Sequence, residues 1–78
     1  MATRGYLALS EAKALIGSRI HYWLLDAYRN PTAHIYGLLV GLAGNTRRGS
    51  RSWAYRIQEV DGHVAVLSRE GQIEVANV

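Results

Sequence analysis

The sequence predicts a mainly β domain: a short N-terminal α-helix followed by about five antiparallel strands that form a small barrel. Three observations predict it. Residues 53–76 alternate apolar and polar positions with a period of two, interrupted at Asp61-Gly62 and Glu70-Gly71. Residues 34–42 form an apolar stretch with glycines four apart, Gly37 and Gly41, as sharply curved sheets need. Helical spacing is confined to residues 11–16, a segment too short to persist unless it docks on the sheet.

Each element follows from local chemistry. Ser10 is the expected helix N-cap, Glu11 suits the positive end of the helix dipole, and Ala12, Leu15 and Ile16 supply the apolar face. Gly17 is the expected stop. Residues 19–26 read as the first strand, with Ile20, Tyr22 and Leu24 on one side and His21, Trp23 and Leu25 on the other. Asn30-Pro31 marks a turn over residues 28–32, and residues 34–42 make the second strand. Residues 53–60, 63–68 and 72–76 read as a three-stranded meander. With two-residue turns, Ile57 faces Val66 and Val66 faces Val75, which places Tyr55, Ile57, Val64, Val66, Ile73 and Val75 on one buried face.

The totals bound what the domain can be. Seventy-eight residues make one domain, which buries only about 60% of its unfolded surface. With no cysteine, neither a disulfide nor a thiolate metal site braces it, so self-association is an expected source of extra stability. Half-apolar, 19% charged composition is that of a folding chain. The longest apolar run, residues 38–43, is too short to cross a bilayer, and residues 1–6 lack the apolar run of a leader. The expectation is therefore a cytoplasmic protein with no membrane contact.

Net charge is +3, carried by eight arginines and one lysine. Arginine's planar fork suits phosphate; the same bias also follows from a GC-rich coding sequence. The distribution says more. Residues 44–56 hold Arg47, Arg48, Arg51 and Arg56 with no acid, whereas residues 57–78 hold Glu59, Asp61, Glu70 and Glu74 against Arg69 alone.

Leu15-Ile16-Gly17, then Ile20, Tyr22 and Leu24, and later Gly37 with Leu39, resemble the first motif of the Sm/LSm-like (SH3-like) small barrels. Ser68-Arg69-Glu70-Gly71-Gln72-Ile73 is similar to the second, although Glu70 separates its Arg-Gly pair. The resemblance implies the barrel fold. The family's base-holding residues are not matched: counted from Gly37, its acidic position falls on Ala43 and its asparagine on Arg47.

Two constellations carry the functional expectation. In the basic loop, residues 45–53, Arg47, Arg48 and Arg51 bring charge to phosphate, serines and Thr46 bring hydrogen bonds, and Gly49 allows close backbone approach. Arg56 extends the set, and Trp53 or Tyr55 could stack on an unpaired base, unless Trp53 continues the buried face. The second constellation is the outward row His21, Trp23 and Leu25, a contact surface for a partner or for the helix. The three histidines lack metal-ligand spacing, no serine sits in a nucleophile elbow, and residues 41–49 lack the ending of a phosphate loop. No catalytic residue, metal or cofactor is therefore expected. The expected function is non-enzymatic binding of nucleic acid. The rivals are a protein-interaction, inhibitor or accessory module of mobile-element origin that meets an anionic protein surface, and a homo-oligomeric scaffold.

Overall fold

The computed structural model describes residues 7–76; residues 1–6, to which the leader expectation refers, and residues 77–78 lie outside it. One helix and five strands follow in chain order: α1 Leu9–Ala14, β1 Arg19–Leu25, β2 Pro31–Gly44, β3 Trp53–Glu59, β4 Val64–Ser68 and β5 Gln72–Val75. All five strands belong to one antiparallel sheet in the order β4-β3-β2-β1-β5.

The helix starts and ends two residues earlier than its spacing predicts. Its N-cap is Ala8, not Ser10. The Ala12 amide donates to the Ala8 carbonyl (3.0 Å), and the Glu11 carboxylate reaches back to accept from the Ala8 amide (3.2 Å). Glu11 thus supplies the N3 half of a capping box by satisfying the N-cap amide, while Ala8 has no hydroxyl to make the reciprocal bond to the first turn. Leu7 and Ala12 are buried, and Leu9 and Leu15 pack against the core, while Ile16 faces out.

β2 begins three residues before the expected strand and ends two after it. Pro31 opens it opposite Leu25, a position where a missing amide costs no ladder bond. The turn before it is correspondingly shorter, held by Asp26, whose carboxylate accepts from the amides of Tyr28 and Asn30. Gly37 lies against the Gln58 backbone so closely that a Cβ would collide with it, and Gly41 sits at a register shift opposite Arg56. Both expected glycine roles, close approach and bend, are present.

The meander is corrected in two respects. First, β5 does not pair with β4: it crosses to β1, with Ile20 opposite Val75 and Trp23 opposite Gln72. Second, β4 is shifted by one residue. Ile57 faces Ala65 and Arg56 faces Val66, so Ala65 and Leu67 turn inward and Val64 and Val66 turn out. The cause is the Asp61-Gly62 turn. Glu59 accepts from Gly62 and donates to His63, and Gly62 has φ 92°. A three-residue loop with a left-handed glycine replaces the two-residue turn, and one added residue flips every side chain beyond it.

This order demands curvature. In a flat five-stranded sheet the edges β4 and β5 would lie about 19 Å apart. They are joined by the 69–71 turn alone, and the step from Ser68 to Gln72 reaches at most about 14 Å. The sheet is therefore curled, and its concave side holds the buried core of Leu7, Ala12, Ile20, Tyr22, Leu39, Trp53, Tyr55, Ile57 and Ile73. Leu24, expected inside, lies exposed where β1 meets a register shift at its end. No described helix is long and apolar enough to cross a membrane.

Candidate functional site

The connector between β2 and β3 is an ordered basic loop. Asn45 and Ser52 close its base, the Asn45 amide donating to the Ser52 carbonyl (2.9 Å). The Asn45 side chain accepts from the Arg47 amide, and the Ser50 hydroxyl accepts from the Ser52 amide. At the tip, the Ser50 amide closes on the Arg47 carbonyl, with Gly49 at φ 82°. These bonds hold the backbone while the Arg47, Arg48 and Arg51 side chains stay exposed. The polar residues read from the sequence as phosphate ligands thus serve first to shape the loop.

The loop forms one wall of an open groove of about 1160 Å³, whose other walls are α1 and the 69–71 turn. Arg48 and Arg51 meet Lys13 and Arg69 there, four cations against the carboxylates of Glu11 and Glu70. Lys13 joins the walls by donating to the Thr46 carbonyl (3.4 Å). Arg69 is half-buried. Its guanidinium lies over the Trp53 ring, 5.0 Å from the centroid, and donates to the Leu7 carbonyl (3.2 Å). Its Nε and the Trp53 Nε1 are both buried without an acceptor among the described residues. Sequence reasoning missed Lys13 and Arg69, because their approach to the loop depends on helix docking and on the crossover to β5.

The other residues expected at this site lie elsewhere. Trp53 and Tyr55 are core residues, packed edge to face at 5.3 Å, and neither offers a ring face to an unpaired base. The alternation that puts Ile57 inside puts both aromatics there too. Arg56 is exposed, but on the convex sheet face opposite Gly41 and Val66, away from the groove lining.

His21 and Trp23 do turn outward, and β2 adds two residues to them. Direct partners His21–Tyr36 and Trp23–His34, with the diagonal His21–His34, build a column of four stacked rings at centroid spacings of 4.8 to 5.0 Å. His21 Nδ1 and His34 Nε2 are 2.8 Å apart and share a hydrogen bond. The stacking leaves Trp23 half-buried, which removes the cost of a bare aromatic row. Leu25 is half-buried at the end of β1 and outside the column. Among the described residues no cluster of three or more histidines, cysteines or carboxylates is placed to hold a metal ion. His34 and Tyr36 could have been found only from the β1–β2 register, which the sequence does not specify. No family model, curated protein or solved structure matches this chain.

Proposed function

We propose that the chain is a non-enzymatic SH3/Sm-like small barrel that binds the phosphate backbone of nucleic acid in the groove between α1, the basic connector and the 69–71 turn. The fold part of this reading is supported by the strand order, the leading helix and the short link between the sheet edges. One observation carries the functional part: Lys13, Arg48, Arg51 and Arg69, from three separate segments, converge on one open groove with twice as many cations as carboxylates. Arg47 stands exposed on the same loop, outside the groove lining. Phosphates spaced along a strand are the ligand that such a row of separated cations suits, and each neutralised phosphate releases counterions.

The test is a salt series. With labelled duplex and single-stranded oligonucleotides, affinity should fall with a log–log slope of about −3 to −4 for four or so phosphate contacts. Arg48→Ala with Arg51→Ala should make that slope shallower by about 2. Binding that ignores salt, or that survives the double substitution with its slope intact, would defeat the proposal.

A second reading is an interaction or accessory module that docks through its convex face. It is favoured by Val64 and Val66, which stand exposed on the edge strand β4. A mass in solution of one chain, together with a pull-down that returns no protein once nuclease is added, would remove it.

A further inference from the structure

We infer that the convex face carries a second site, a slot for one unpaired nucleobase beside Tyr36; this rests on the nucleic-acid reading above and narrows it to single strands. A cleft of about 380 Å³ opens at the end of the ring column, lined by Tyr36, Leu38, Gln58, Arg19, Glu59 and Val60. That volume lies within the roughly 300–1,000 Å³ typical of small-ligand sites. None of these residues lines the basic groove.

The chemistry of the walls is that of base recognition. Tyr36 supplies an aromatic ring and Leu38 and Val60 apolar cover. The Gln58 amide carries both a donor and an acceptor for a base edge. Arg19, on the same wall, supplies the cation for the phosphate. The ring is held in advance. Tyr36 rests on His21 at 4.8 Å, His21 is bonded to His34, and His34 rests on Trp23 at 5.0 Å. A base that stacks on Tyr36 therefore meets a platform already fixed, and little rotamer freedom is lost on binding. Duplex bases are stacked on their own neighbours, so the slot selects single strands.

The experiment compares labelled single-stranded oligocytidine and oligoadenosine deoxynucleotides with a duplex of equal length, on wild-type protein, Tyr36→Ala, Tyr36→Phe and Gln58→Ala. Tyr36→Ala should weaken single-strand binding about ten-fold or more and leave duplex binding unchanged, while Tyr36→Phe, which keeps the ring, should bind like wild type. Gln58→Ala, on an exposed strand position, should weaken only the single strands and serves if Tyr36→Ala fails to fold. Equal losses on single strand and duplex, or no loss in either variant while the Arg48/Arg51 double variant still loses both, would overturn the slot and leave the groove standing. Wild-type protein that binds neither nucleic acid would overturn both.

Discussion

Tyr22 of β1 donates its hydroxyl proton to the Ser68 carbonyl at the end of β4, 2.7 Å away, although two strands separate β1 from β4 in the sheet. The bond crosses the concave interior and ties the curl together at the point where the chain leaves β4 for β5. Burial holds the Tyr22 pKa above its ordinary 10.0; an amide bond from Gly71 works against that shift, and the nearby Glu70 charge adds to it. Tyr22→Phe should cost about 1 kcal/mol at neutral pH, the net worth of one such bond. The raised folded pKa also sets a sign. The unfolded tyrosine ionises first, so this contribution is complete below pH 10 and is lost as pH rises through the folded value. Urea melts of the two proteins from pH 8 to pH 11 should converge; curves that stay parallel would show that Tyr22 does not titrate in this way.

Three glycines separate steric need from chain flexibility. A Cβ on Gly71 would overlap the Tyr22 ring, and one on Gly37 would overlap the Gln58 carbonyl. Gly71→Ala should cost about 2 kcal/mol, and Gly37→Ala, which strikes backbone, about 3 kcal/mol or more. Gly41 has open space around its missing Cβ and no left-handed φ. Gly41→Ala should therefore stabilise by about 0.4–1 kcal/mol, by removing freedom from the unfolded chain. Thermal melts should place Gly41→Ala highest, Gly71→Ala below wild type and Gly37→Ala lowest.

Arg69 allows binding to be separated from stability. It is a half-buried cation with a backbone acceptor at Leu7, an indole beneath it and, among the described residues, no acceptor for its Nε. Arg69→Met keeps an unbranched apolar stem and removes the charge, and with it the guanidinium contact over Trp53 and the bond to Leu7. Because such a charge brings its own desolvation cost, stability should change by less than about 1 kcal/mol, whereas duplex affinity at low salt should fall several-fold. A large loss of stability with affinity intact would assign Arg69 to the fold alone.

The elements themselves were legible because their signals are local. Alternation and the Asp61-Gly62 turn place four strands to within a residue at either end, while β2, which holds Gly37 and Gly41, starts three residues before its expected span and ends two after it. Three features were not legible, each for a reason of distance. The crossing of β5 to β1 depends on Tyr22 reaching Ser68 over Gly71, residues 46 to 49 positions apart, whereas Glu70-Gly71 looks locally like another hairpin. The groove was half legible: its arginines at 48 and 51 stand out in an acid-free stretch, but Lys13 and Arg69 join them only through helix docking and the crossover. Likewise His21 and Trp23 were recognisable as an outward row, while His34 and Tyr36 needed the strand register.

That register supplies a test at β4. The loop from Glu59 to His63, with Gly62 left-handed, puts Val66 beside Arg56 on the convex face and leaves it 59% exposed, while Leu67 packs against the core beside Tyr55. A two-residue turn would exchange the two faces. Val66→Thr should therefore change stability by no more than about 0.5 kcal/mol, as surface substitutions do. Leu67→Ala removes partly buried methyl groups and should cost about 1–2 kcal/mol, below the full cavity penalty because the site is not sealed. Gly62→Ala should add about 1 kcal/mol of strain, since the left-handed position disfavours a Cβ. Denaturant midpoints measured side by side decide the matter: a costly Val66→Thr with a silent Leu67→Ala would mean that β4 is paired in the other register, and the convex face would then have to be redrawn from Gln58 outward.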